Sequence, residues 1–349
     1  MKAVTFQAIE RVAVSECPDP ALEGPRDAVV EVEAAGLCGS DLHPYFGRER
    51  GIDPGTILGH ELVGRVVAAG PDAGVRVGDR VVSPFTTSCG RCAPCRSGLT
   101  ARCVEGQLLG WVENGVGLHG AQAERIRIPL ADGTLVPLPE SLEDPALALL
   151  AGDILSTGLF GADAARVEAG RVVVVVGCGP VGLMAIRASL HRGARAVVAV
   201  DRVESRLATA ATFGAEAAHL DGDPAAVVAR LTEGRGADAA IEAVGSPGAT
   251  RTAADLLRPG GVLSAVGVHT EPHLALSPGE LYDRNLTYAA GRCPARHFLP
   301  ETLDIAVRDA ALLSTMITHR LPLAEAPEAY RAFGAHREGW GKVVFLPGG

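Results

Sequence analysis

Apolar and polar residues follow two different rhythms along this chain. Up to about residue 150 they alternate in short runs broken by turn residues, at positions 2–7, 11–17, 28–34, 63–69, 78–82 and 123–128. Alternation of this kind predicts antiparallel strands with one face on a core. A helical pattern starts at 145–150. From residue 171 the rhythm changes. Val172 to Val176 form an unbroken β-branched run, the mark of a parallel strand buried on both faces. A helical segment at 183–192 follows, then apolar strands at 196–200, 237–243 and 261–266. Strand–helix alternation over 172–268 predicts a doubly wound sheet, with ligands at the carboxyl ends of its strands. Beyond about Arg292 the pattern loses regularity; 323–333 reads as a helix and 342–346 as a strand, a mixed tail expected to rejoin the first domain. The expected organisation is α/β: a β-rich domain at 1–154, a doubly wound domain at 155–292, and a return to the first at 293–349.

With 349 residues there is room for two separate cores. A net charge of -9 argues against nucleic acid and anionic membranes as partners, since both need a basic face. The start of the chain lacks the apolar core and cleavage site of a signal peptide, and no apolar run reads as long enough to span a bilayer. The expectation is a cytoplasmic protein working on small molecules, with no membrane and no nucleic acid involved. Eight cysteines in that setting are expected as thiols or metal ligands, not disulfides. Lysine occurs only as Lys2 and Lys342, which reads as a composition bias without functional weight.

Candidate chemistry clusters in a few places. Cys38-Gly39-Ser40-Asp41-Leu42-His43 packs a thiol, a hydroxyl, a carboxylate and an imidazole together. Cys38 can bind zinc, Ser40 can touch an oxygen the metal polarises, Asp41 can orient a metal-bound imidazole, and His43 can pass a proton onward. Taken alone, a buried cysteine is more often an inert core residue. His60-Glu61, after Gly59, stands at the mouth of an expected strand, a rigid place for a ligand; the bland alternative is a loop histidine beside a solvated acid. Cys89, Cys92, Cys95 and Cys103 have the spacing Cys-x2-Cys-x2-Cys-x7-Cys, which suits a closed structural zinc site in a lobe at about 86–105. An iron–sulfur cluster competes, but its last cysteine is usually followed by proline, and here Val104 follows. Gly177-Cys178-Gly179-Pro180-Val181-Gly182 is a Gly-x-Gly-x-x-Gly between a buried strand and a helix, the context a dinucleotide fingerprint requires. Asp201, nineteen residues past Gly182, would bond the ribose hydroxyls of NAD and repel the extra phosphate of NADP; Arg202 beside it tempers that preference.

Taken in order, Cys-Gly-Ser-Asp-x-x-His, Gly-His-Glu, the four-cysteine lobe and the central glycine loop resemble the zinc-dependent medium-chain dehydrogenases, the alcohol dehydrogenase family, over essentially the full length. The resemblance implies a GroES-like catalytic domain interrupted by a Rossmann domain, in a homodimer or homotetramer. It implies one catalytic and one structural zinc per subunit, and hydride transfer between NAD and a small alcohol or its aldehyde or ketone. By the same likeness Cys38 and His60 are catalytic-zinc ligands, Glu61 an acid that can approach the metal, and Asp41 the group that orients His60. Ser40 and His43 form the proton relay, and Phe85 lines the substrate pocket. Thr157, Asp201, Arg202, Arg206, Val244, Val266 and Val268 hold the cofactor together with the glycine loop. Many relatives carry cysteine where this chain has Asp153. The run Gly152-Asp153-Ile154-Leu155-Ser156-Thr157-Gly158 is similar instead to the glutathione-independent formaldehyde dehydrogenase-like branch, where aspartate is the third ligand. Formaldehyde dehydrogenase or dismutase, polyol dehydrogenase, a zinc–NAD lyase or epimerase, and a non-catalytic NAD-binding protein stand as alternatives.

Overall fold

The computed structural model describes residues 1–348. The chain divides into two compact units, Met1–Asp153 with the tail from Pro294, and Ile154–Cys293.

In the first unit a seven-stranded sheet runs in the order Ile317–Leu321, Lys342–Phe345, Ala28–Leu37, Leu62–Ala69, Arg80–Ser83 and Val136–Pro137, with Arg125–Ile128 also pairing to Ala28–Leu37. Its alternating residues feed two cores. Val30, Val32, Leu62, Val66, Val81, Ile126 and Ile128 pack in one, and Leu37, Val343 and Phe345 in the other, against Tyr330 and Phe333 of the helix Ala326–Gly334. Ala28–Leu37 runs three residues beyond the expected 28–34 and so delivers the chain directly to Cys38. The tail is more regular than its pattern suggested. Ala295–Arg308 is a helix burying Phe298, Leu299, Thr302, Leu303, Ile305 and Ala306. Pro300 lies inside it, and proline, which normally breaks a helix, disguised the period.

The second unit is a six-stranded parallel sheet in the order Glu216–His219, Ala196–Asp201, Val172–Val176, Ala237–Glu242, Leu257–Ala265 and Thr287–Ala290. Val172–Val176 is fully buried near its centre, as a continuous β-branched run demands. The two outermost strands, short and weakly apolar, went unpredicted. The helix after the glycine loop is Pro180–His191, starting earlier than the expected 183 because Pro180 takes the first turn, where a missing N–H costs nothing.

Contrary to the expectation that no apolar run is long enough to span a bilayer, Pro145–Ala164 is long and apolar enough to do so by composition; 89% of its most apolar window is buried inside protein. It is two helices, Pro145–Gly152 and Ile154–Ala164, interrupted at Asp153.

Candidate active site

Four elements of the first unit converge on one pocket. The strand Ala28–Leu37 ends in Cys38, which opens a short 3-10 turn, Gly39–Asp41. The Asp41 carboxylate does two things at once. Its Oδ2 accepts the Cys38 backbone N–H at 2.9 Å, and its Oδ1 lies 3.1 Å from His60 Nδ1. That contact turns His60 Nε2 toward the pocket, where it lies 3.4 Å from Asp153 Oδ2. Ser40 Oγ is 3.3 Å from both Cys38 Sγ and His60 Nε2. Asp153 caps the end of helix Pro145–Gly152 with non-helical angles (φ -135, ψ -77) that interrupt the helical run. The Phe85 ring meets His60 edge-on at 6.3 Å between centroids. Gly59, at φ +88, supplies the left-handed turn ahead of His60 that other residues resist.

Ligand atoms of Cys38, His60, Glu61 and Asp153 all lie within 4.8 Å of one another. A tetrahedral zinc bound to nitrogen, oxygen and sulfur sets its ligands about 3.3–3.8 Å apart, so the donor set and spacing fit that ion. The electrostatics agree. Burial would lower the His60 pKa, but Asp41 and Asp153 more than reverse this and hold it well above the ordinary value. Burial, then Asp153, pushes the Cys38 thiol up. Burial likewise opposes the charge on Asp153, yet His60 wins and its pKa falls. A buried cluster this rich in acids needs positive charge, which a divalent cation supplies.

Glu61 is a special case. Both its oxygens are engaged by Lys342 Nζ, at 2.5 and 2.6 Å, while Nζ also reaches Leu37 O at 3.3 Å. Both side chains are within 1% of complete burial. Burial pushes Glu61 up to about 7 in spite of the lysine, whereas at Lys342 the pull of Glu61 outweighs burial and raises the pKa. The two tendencies conflict, and we assign an ionised pair because the ammonium contacts both carboxylate oxygens. Gly36 permits the arrangement, since a Cβ there would overlap Glu61 Oε2. Sequence reasoning passed over Lys342. The usable signal was a lone charge opening the apolar run Lys342–Phe345.

His43 follows one turn after Ser40, with its imidazole pKa lowered by burial and Nδ1 buried without a hydrogen-bond partner. No hydrogen bond joins it directly to Ser40 among the described residues.

In the lobe, the sulfurs of Cys89, Cys92, Cys95 and Cys103 also gather within 4.8 Å, all as free cysteines. Cys92 Sγ and Cys103 Sγ are 3.9 Å apart, against about 3.8 Å for the edge of a tetrahedral zinc–thiolate site. Backbone N–H groups of Cys89 and Cys92 point at Cys103 Sγ and Cys89 Sγ. Backbone bonds from Val104 and Cys95 pull Cys92 down to about 6, thiolate at neutral pH. The cluster fits a structural zinc site.

In the second unit, Gly177 (φ +93) turns the chain at the end of Val172–Val176, and a Cβ on Gly182 would overlap the Gly177 carbonyl. Gly179 caps helix Pro180–His191, and a Cβ there would meet nothing, so the start of the helix is open to a ligand. Backbone N–H groups at such a terminus suit a pyrophosphate, so the loop fits a dinucleotide. Val181 is half-buried beside it. Asp201 ends the neighbouring strand, but its carboxylate already accepts N–H bonds from Cys178, Arg202 and Val203 at 2.7–2.9 Å. Arg206 stands 4.0 Å from it, and the Arg202 side chain is mostly exposed. Val244 and Val268 are exposed at the strand ends, with Val266 between buried and open. Thr157 lies in helix Ile154–Ala164.

Known proteins agree with this arrangement. Residues 24–140 match the alcohol dehydrogenase GroES-like domain, and residues 180–308 the zinc-binding dehydrogenase family. Zinc-type alcohol dehydrogenase B of Aspergillus flavus is 42% identical over 361 residues, covering 100% of this chain and 82% of that protein. The chain belongs to the zinc-type medium-chain alcohol dehydrogenase family. The solved alcohol dehydrogenase TADH from Thermus sp. ATN1 superposes with a TM-score of 0.92 at 38% identity, over 99% of each chain. The NADP-dependent isopropanol dehydrogenase of Thermoanaerobacter brockii is 34% identical over 329 residues, 91% of this chain and 92% of that protein. The protein is thus a zinc-dependent alcohol oxidoreductase, with a GroES-like domain and a Rossmann-type domain, acting on small alcohols.

Proposed function

We propose that this dehydrogenase uses NAD to oxidise small alcohols, and reduces the matching aldehydes or ketones, with Cys38, His60 and Asp153 as ligands of a catalytic zinc. The observation that supports this is the convergence of a thiol, an imidazole and a carboxylate at ligand spacing, while the fourth donor of the cluster, Glu61, is taken by Lys342. Bound there, zinc supplies Lewis acidity toward an alcohol oxygen, and a nicotinamide dinucleotide supplies the hydride acceptor. Asp41 fixes the His60 ring through Nδ1 and the Cys38 backbone through its other oxygen, so two ligands share one anchor. Ser40, within 3.3 Å of both ligands, is placed to accept a hydrogen bond from the substrate hydroxyl. His43, kept neutral by burial, takes the proton onward. Lys342 withholds Glu61, which keeps a ligand position open for substrate, as a catalytic site requires.

NAD is favoured over NADP by Asp201 at the end of the second strand. Arg202 and Arg206 lie close enough to soften the preference, but Arg206 already faces Asp201. The aspartate at 153 supports a formaldehyde dehydrogenase-like branch and makes hydrated formaldehyde a substrate to try. A cytoplasmic homodimer or homotetramer with domain limits at 1–154, 155–292 and 293–349 accompanies the same reading.

The test is metal content per subunit in the wild type and in Asp153→Ala. NAD and NADP reduction is followed alongside with primary alcohols, secondary alcohols, polyols and hydrated formaldehyde. Two zincs falling to one with activity lost is expected. A variant that keeps both zincs hands the third ligand role to Glu61, and turnover without net NADH moves the reaction to the lyase or epimerase class.

A further inference from the structure

We propose that Glu242 and His269 are positioning residues for the dinucleotide, holding two strand-end loops of the second unit in one arrangement. The proposal rests on the reading of that unit as the dinucleotide binder. Glu242 is the last residue of the central strand Ala237–Glu242 and has no solvent exposure. A carboxylate so buried is costly unless fully hydrogen-bonded, and no lysine or arginine pairs with it among the described residues. It is satisfied by other means. One oxygen accepts the backbone N–H groups of Val244 and Gly245, both at 2.7 Å. The other lies 2.9 Å from His269 Nε2. Its backbone carbonyl accepts the N–H groups of Val266 at 2.9 Å and Gly267 at 3.1 Å.

One residue therefore ties the tip of its own strand to the tip of the next. The two loops are pressed together as tightly as backbone allows: a Cβ on Gly267 would overlap Gly245 N, and one on Gly245 would overlap Val268 O. What they present is apolar. Val244 is 52% and Val268 39% exposed, and Val244 also abuts the glycine turn, where a Cβ on Gly177 would come within 2.5 Å of it. Gly177, Val244 and Val268 thus share the carboxyl ends of the central strands, the place where open parallel sheets take their ligands. A buried carboxylate contributes little net stability compared with an apolar side chain. What this one supplies is the fixed placement of the two valines, with His269 closing the clasp.

The experiment is NADH titration by fluorescence on full-length wild type, His269→Phe and His269→Asn, with steady-state KM values for NAD and alcohol, zinc content and thermal unfolding. Phenylalanine cannot donate to Glu242, whereas the asparagine amide can. The phenylalanine variant is expected to bind NADH about tenfold more weakly, the loss of one charge-assisted hydrogen bond. Its KM for NAD rises alongside, with alcohol KM and zinc content unchanged, and asparagine restores most of the affinity. Equal NADH affinity in the wild type and the phenylalanine variant overturns the positioning role. So does a loss that asparagine fails to rescue and that tracks unfolding. A wild type that binds neither NADH nor NADPH overturns instead the dinucleotide reading beneath it.

Discussion

Replacing Lys342 by methionine removes the ammonium that grips both oxygens of Glu61 while keeping a side chain of similar length, so the change is chiefly one of charge. The pair is within 1% of full burial, with Nζ–O distances of 2.5 and 2.6 Å. At an effective dielectric near 20, two charges at that separation attract by about 6–7 kcal/mol, and the removal of one partner from a buried pair costs about 3–5 kcal/mol. Glu61 has one escape, which is to take up a proton. Burial pushes its pKa upward, and without the lysine to oppose that push it moves higher still. A carboxyl whose folded pKa lies above its unfolded value contributes stability at low pH and loses it as pH rises through the folded value. The penalty of Lys342→Met is therefore smaller at pH 5.5 or so than at about pH 8. At the higher pH we expect the melting temperature to fall by about 6–20 °C. Glu61→Gln in the same chain should return most of that loss, because it removes the stranded charge. Thermal unfolding of wild type, Lys342→Met, Glu61→Gln and the double variant at both pH values, with metal content measured on each, decides the matter. A Lys342→Met variant within about 1 kcal/mol of wild type at the higher pH refutes the reasoning, as does a penalty that ignores pH.

Zinc uptake by the catalytic pocket should weaken as pH falls. His60 is held well above its ordinary value and Cys38 is pushed up, so the metal displaces protons that acid restores. A chelator-competition titration across pH shows this as a falling apparent affinity, and a flat profile contradicts it. Cys92→Ser should lose one zinc per subunit and lower the melting temperature, while catalytic-site zinc, read by cobalt substitution spectra, stays. Asp201→Gly should shift the ratio of kcat/KM for NAD over NADP toward NADP by about tenfold, the loss of one charged discrimination; an unchanged ratio removes Asp201 from cofactor choice.

How legible these features were depended on sequence distance. The glycine loop could be read because strand, turn and helix follow each other within Val172–His191. The four-cysteine lobe was equally local. Cys38, His60 and Asp153 were each ordinary alone, and only the resemblance joined them. What joins them physically is the pairing of Ala28–Leu37 with Leu62–Ala69 and a helix end that stops at Asp153. Lys342 escaped notice because its partner is 281 residues away and because two lysines in a chain look like compositional accident. Glu242 and His269 escaped because they sit behind the expected contacts Val244 and Val268, and a hydrogen bond spanning 27 residues leaves no local pattern. The helix Ala295–Arg308 was hidden by its own proline.

The strand Lys342–Phe345 carries one further implication. It pairs with the Ala35–Leu37 end of Ala28–Leu37, beside Cys38, yet it is translated only after the whole of Ile154–Cys293. The inserted unit, contiguous in the chain, can fold as soon as it leaves the ribosome. The host cannot. Until Lys342 arrives, that edge of the sheet is unpaired and Glu61 lacks this counter-ion, so Glu61 would face an early metal together with Cys38, His60 and Asp153. On the proposed ligand set, correct metal loading waits for the strand Lys342–Phe345, and a nascent chain arrested before this strand is where mismetallation and edge-to-edge aggregation should first be seen.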